Sequence, residues 1–184
     1  MAVSAGLREA EAREILAWGP TEETLPGDGA ESVSLHGHRL HSGAYAIGRT
    51  TVTGRRSGAG GGLRASTQCL VVRPRMLARF AGNPLAILRA AEASGLLRSY
   101  DELPSRLDPL QLDGRAAIVD ASLLSQLSFR PGADWMAALV QSAIDSVSTA
   151  VVDGSRVENV IAGVFHCLPP ECRMGTSFSI GLRF

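Results

Sequence analysis

Three histidines fall within the stretch HGHRLH: His36, His38 and His41. A His-x-His pair on extended backbone sends both imidazoles to one side, an arrangement that ligates zinc or another transition metal. Cys69, His166, Cys167 and Cys172 are the residues that would complete such a centre. Their spacing argues against it. CLPPEC is not a Cys-x-x-Cys knuckle, the consecutive residues His166 and Cys167 project differently from a helix, and no second close pair exists. The sequence therefore implies no resident metal and no cofactor. The histidines read as polar residues at the edge of a strand, with a metal site on His36, His38 and His41 as the alternative.

The second set of chemistry-bearing residues is GRRSGAGGGLR, where Arg55, Arg56 and Arg64 flank a glycine-rich loop and Arg49 precedes it on a strand. Backbone amides of such a loop can cradle phosphate, and arginine forks bind phosphate or carboxylate bidentately. The Lys-Ser/Thr ending of a Walker A loop is missing, and the glycines do not form G-x-G-x-x-G between a strand and a helix. The stretch reads as a hairpin tip, with Arg49, Arg55, Arg56 and Arg64 as candidate contacts to an acidic partner or a phosphate. Nucleophilic catalysis finds less support. There is no G-x-S-x-G elbow, neighbours such as His166 and Cys167 rarely meet on a helix, and Cys69 precedes an apolar run where it reads as a small core residue. No catalytic residue is assigned; a metal- or cysteine-dependent enzyme stays as an alternative.

The 18 basic residues among 184 are all arginine, which removes Schiff-base and Lys-base chemistry. Net charge is zero but unevenly spread: residues 1–38 carry −5, residues 39–100 carry +9, and residues 101–171 carry −6. The basic block either faces a partner or pairs with its acidic flanks. Single-strand nucleic-acid binders interleave arginine with stacking aromatics. Between Arg39 and Arg98 the aromatics are Tyr45 and Phe80 alone, so nucleic acid is a possible but not the favoured partner. Three cysteines with no apolar leader suggest free thiols in the cytoplasm. No run of about 18 apolar residues predicts a membrane helix. The alternation of TSFSIGLRF reads as a sheet strand with one face on a core rather than a barrel segment. Its reaching the final residue fits a chain that is a fragment of a longer protein.

These residues need elements to hold them. Leu7, Ala10, Ile15 and Trp18 predict an amphipathic helix over 5–18, followed by a Pro-, Gly- and acid-rich linker. Strands are expected at about 44–53 and 63–72, joined as a hairpin around the glycine loop. Asn83, Pro84 and Gly95 mark the start and end of a helix. A short strand is expected in RAAIV and another in TAVV. Trp135, Leu139, Ala143 and Val147 recur at four-residue steps and make RPGADWMAALVQSAIDSVSTA, residues 130–150, the clearest helical pattern. Ser155 and Glu158 stand in capping-box relation before another helix. The order predicts an α/β or α+β fold with a mixed sheet flanked by helices. Residues 1–38 form an N-terminal helix and acidic linker, and residues 39–184 a single compact domain.

Four stretches carry a family resemblance: YAIGRTTV, GGLRASTQCLVV, RFAGNPLAILRAA and LPPECRMGTSFSIGLRF. An aromatic-Arg-Thr strand, a glycine stretch, a Thr-x-x-Leu strand and Leu-Pro-x-x-x-Arg before Ser-Phe-Ser together resemble the N-terminal domain of bacterial GTPase-associated system proteins, over residues 45–184. Gln68 stands where that family favours His. The resemblance implies an adaptor or scaffold acting beside a GTPase or other NTPase, and it brings no catalytic residues. The leading expectation is thus a non-enzymatic interaction module with a protein partner and no membrane.

Overall fold

The computed structural model describes residues 2–25, 32–55, 62–98, 100, 102, 104–146, 148–151 and 157–183, leaving out the side chains of 53, 55 and 63. Four strands, β1 (Ser32–Arg39), β2 (Tyr45–Arg55), β3 (Leu63–Val72) and β4 (Phe178–Ile180), form one sheet in the order β3-β2-β1-β4. Every pairing is antiparallel. The expected mixed sheet is therefore an antiparallel one, and the fold is α+β. The hairpin expected from sequence is β2–β3, in register from Tyr45↔Val72 to Val52↔Ala65, with a bulge between Val52 and Arg55.

Strand alternation gives the sheet two different faces. Leu35, Tyr45, Ile47 and Val72, with Leu70, Phe178 and Ile180, look toward the helices and share one core with Leu77, Phe80, Leu85, Leu88, Val160, Val164 and Leu168. The opposite face carries Leu40, Ala44 and Ala46, with Cys69, Val71 and Ile15 packed around them. The first face explains Gly37: a Cβ there would run into the Phe178 ring and touch Tyr45. Phe178 meets Phe165 edge-on with centroids 5.8 Å apart, and the Tyr45 hydroxyl donates to the Thr176 carbonyl at 2.7 Å. The terminal segment is thus tied down by this aromatic pair and hydrogen bond, by its pairing with β1, and by the Gly181 carbonyl, which accepts from the Ser34 hydroxyl at 2.7 Å.

Strand β1 is the main correction to the sequence reading. It lies between β2 and β4, yet its residues fall almost wholly in the segment read as linker. The hydrophobic pattern misses it because its second-face positions are Ser34, His36 and His38, all buried. Strand β4 is shorter than expected, and Phe178 and Ile180 are half-buried rather than buried. Residues 115–120 and 148–151 are not strands.

The helices are α1 (Glu9–Trp18), α2 (Pro74–Arg79), α3 (Pro84–Ala93), α4 (Ala121–Leu127), α5 (Ala133–Asp145), α6 (Val157–Cys167) and α7 (Pro170–Arg173). Helix α3 begins as its sequence predicts: Asn83 Oδ1 accepts from the backbone N–H of Leu85 at 3.0 Å and of Ala86 at 3.4 Å, with Pro84 next. Gly95 exits it at φ +65°. Helix α5 is less buried than its periodicity predicts, since only Met136 is fully buried while Trp135 and Ile144 stay exposed. The capping residue Ser155 expected for α6 lies outside the described residues. In α1 the one fully buried side chain is charged. Glu11 is 2% exposed and accepts from the Arg8 backbone N–H, Arg73 and the Ser42 hydroxyl; Ala10 and Trp18, expected inside, are exposed.

Candidate functional site

The arginine hairpin is built by β2 and β3. Arg49 lies on the helix-facing side of β2, and its Nε is 3.2 Å from Glu92 Oε1 on α3. Its guanidinium is therefore committed to the fold. Arg55 ends β2 six residues further on, about 20 Å along an extended strand, so Arg49 does not join the tip. Arg64, near the start of β3, is exposed. The side chain of Arg55 and the whole of Arg56 lie outside the described residues. The structure thus keeps Arg55 and Arg64 at one end of the hairpin and withdraws Arg49 from it.

Strand β3 is one edge of the sheet, and among the described residues no further strand pairs with it. Residues 64–67 are exposed and 68–71 half-buried. An edge strand offers alternate backbone N–H and C=O groups to a further strand. The chain blunts it only with Arg64, Ser66 and Thr67 along its first half.

The basic block is partly neutralised from within. Arg73 holds Glu11 of the N-terminal acidic block at 2.5 Å, and Arg89 holds Glu158 of the C-terminal one at 3.0 Å. Among the described residues Glu11 is the most perturbed carboxyl: Arg73, then Arg8 and Ser42, hold it well below the usual carboxylate range against the opposing effect of burial. Arg39 and Arg75 are exposed and, among the described residues, have no carboxylate partner.

His36 and His38 lie side by side within an inner strand rather than at a strand edge, and His41 does not join them. His36 and His38 are each 6% exposed on the inner strand β1. His41 is in the turn after it, where its Nδ1 lies 2.7 Å from Glu14 Oε1. Burial lowers the pKa of both His36 and His38. Among the described residues no group of three or more His, Cys, Asp or Glu could hold a metal ion. The three cysteines are free thiols, Cys69 half-buried and Cys167 and Cys172 exposed. His166 has both nitrogens occupied, Nδ1 at 3.2 Å from the Ile118 carbonyl and Nε2 at 3.2 Å from Asn83 Nδ2. It is therefore an Nδ1–H donor and Nε2 acceptor, not a base for Cys167. A cleft of about 410 Å³ beside it is lined by Asn83, Arg89 and Asp120. Asn83 and Asp120 spend an oxygen each on helix caps, and Arg89 is bonded to Glu158 and Asn159.

Sequence reasoning missed Arg173. It is 1% exposed, and its guanidinium donates to the carbonyls of Leu168, Ala81, Ile118 and His166 at 2.7–3.1 Å. It is the arginine of Leu-Pro-x-x-x-Arg, and that spacing was the available signal. No described helix is long and apolar enough to cross a membrane. No protein-family model matches the chain, and comparisons with curated proteins and with solved structures give no match either.

Proposed function

We propose that this chain is a non-enzymatic interaction module that presents the β2–β3 hairpin to an acidic protein surface or a phosphate. The observation that carries this reading is the exposed first half of β3, at an edge of the sheet, with Arg64 at its start and Arg55 opposite on β2. An edge strand supplies affinity through main-chain hydrogen bonds, and flanking arginines select a negatively charged partner. The resemblance to GTPase-associated system proteins supports an adaptor role beside an NTPase in the bacterial cytoplasm. Arg49 belongs to the scaffold in this reading; Arg55, Arg56 and Arg64 make the contact.

The test uses poly-glutamate, inorganic pyrophosphate and the NTPase encoded nearest the gene as probes. An Arg55→Ala, Arg56→Ala, Arg64→Ala variant should fold with stability changed by no more than about 0.5 kcal/mol per site. It should lose binding to the probe that the native chain binds, most clearly at low salt, where the Debye length is about 30 Å at 0.01 M. Arg49→Ala should leave binding intact. A folded triple variant that binds as the native chain does overturns the proposal.

A further inference from the structure

Strand β1 buries two imidazoles side by side and leaves three of their nitrogens without a partner. Among the described residues nothing hydrogen-bonds His36 Nδ1, His36 Nε2 or His38 Nε2. Buried polar groups are normally paired, so each such atom calls for an explanation. The two rings are nearly parallel, with centroids 6.3 Å apart. His36 lies over Gly48 of β2, where any side chain would collide with its ring. His38 is covered by Trp18, the last residue of α1, stacked at 5.2 Å and 27°. Trp18 is itself 63% exposed. One ring at a helix end thus covers His38.

Among the described residues the sheet strands place only uncharged side chains around the pair. On this face β2 contributes Ala46, Gly48 and Thr50, β3 contributes Thr67, Cys69 and Val71, and β4 contributes Ser179 opposite His36. The Cys69 thiol stays protonated, pushed up to about 11 by burial. From α1 come Glu11 and Glu14. Glu11 is bonded to Arg73, Arg8 and Ser42, and Glu14 accepts from the backbone N–H and pairs with the ring of His41. Glu14 favours charge on His38 but does not offset the burial. Glu22, in the segment after α1, lies against Gly62 near the other end of the hairpin.

We propose that the His36–His38 pair is an acid-sensitive latch: neutral, it seats Trp18 and holds the C-terminal end of α1 on the sheet; protonated, it releases Trp18 and opens that face to water. A proton on either ring places a charge among small uncharged side chains, and two imidazolium rings at this spacing repel. Both are relieved by reaching water, and the covering that yields is Trp18. The N-terminal half of α1 stays, because Arg73, Arg8 and Ser42 keep Glu11 ionised. Folded-state pKa values below the ordinary 6.5 mean that the neutral pair's contribution is complete above that pH. It is lost as pH falls toward the folded values, because the open form binds the extra protons. With two protons taken up, the closed-to-open ratio falls by about a hundredfold per pH unit within that window.

In a Trp135→Phe background Trp18 is the one indole left, and its emission and acrylamide quenching can be followed from about pH 8 to about pH 5, the histidine range. NMR of the histidine C–H signals and of amide protection in β2 and β3 accompanies the titration. The expected result is a red shift and increased quenching of Trp18, coincident with uptake of protons by His36 and His38. The transition should be steeper than one proton, and the sheet amides should remain protected. Independent titration of the two histidines with Trp18 unmoved would overturn the latch. So would loss of sheet protection in the same step, which is ordinary acid unfolding. His38→Phe keeps a ring under Trp18 and should reduce the transition to one-proton steepness; an unchanged transition there also refutes the proposal. Should that variant not fold, the native-pair titration decides alone.

Discussion

At the scale of single residues, the two charged side chains held most deeply behave in opposite ways. Arg173 is satisfied by four carbonyls and no carboxylate, so its burial is compensated by geometry alone. Replacing it leaves those carbonyls, in the 81–82 turn, the 118 segment and the end of α6, short of a donor. Arg173→Ala should destabilise the fold by about 3 kcal/mol or more in chemical denaturation. Arg173→Lys should recover little, because one ammonium cannot span the sites that the planar fork reaches. Glu11 is instead a buried carboxylate met by a half-exposed arginine. Removing its partner should be the worse change: Arg73→Ala is expected to cost about 3 kcal/mol, and Glu11→Gln less. Since the folded carboxyl is held below its ordinary 4.5, its contribution is present above that pH and fades as pH falls below it. Stability curves of native and Glu11→Gln proteins should therefore converge in acid; parallel curves would contradict the assignment. The Leu-Pro-x-x-x-Arg spacing marked Arg173 but not its burial, and nothing marked Glu11, because a charge announces nothing about where its partners lie along the chain.

At the scale of elements, local chemistry was legible and burial was not. Asn83-Pro84 with Gly95 set the limits of α3, and the apolar run LVV with the glycine loop located the β2–β3 hairpin. Both signals depend on near neighbours. Strand β1 escaped because one of its buried faces is made of Ser34, His36 and His38, polar residues that a hydrophobic pattern counts as exposed. Helix α5 had the strongest periodicity and the weakest burial, since periodicity reports a face and not what covers it. The Arg49, Arg55, Arg56 and Arg64 set was found by type and spacing, but the strand length that separates Arg49 from the tip only follows once the register is known. The terminal strand supplies a test. Phe178 is half-buried yet seated on Gly37 and Phe165, so Phe178→Ala should cost about 2–3 kcal/mol, less than a fully buried Phe. Removal of residues 176–184 should also deprive the Tyr45 hydroxyl of its acceptor and lower the melting temperature. An unchanged melting curve would detach β4 from the fold.

At the scale of the whole molecule, the charge blocks acquire a meaning. Arg73 with Glu11 and Arg89 with Glu158 join the basic middle to each acidic flank, while Arg49 and Glu92 close within the block. The neutral total thus conceals a fold clasped electrostatically between distant segments, with Arg39, Arg64, Arg75, Arg79 and Arg98 of the basic block exposed. Raised salt should weaken the two half-exposed pairs, Arg89–Glu158 and Arg49–Glu92, by less than about 1 kcal/mol each. The thiols report the same organisation: Cys167 and Cys172 should be modified readily in native protein, and Cys69, raised by burial to about 11, slowly. Equal rates for all three would mean that the second face of the sheet is open at neutral pH. The proposal that the β3 edge with its arginines is the binding surface is tested most directly by amide NMR of the labelled chain, titrated at low salt with an acidic probe such as poly-glutamate. The predicted result is that shift changes concentrate on residues 64–68 of β3 and fade as salt is raised. Changes centred on α5 or the α3–α6 surface, with β3 unmoved, would contradict it.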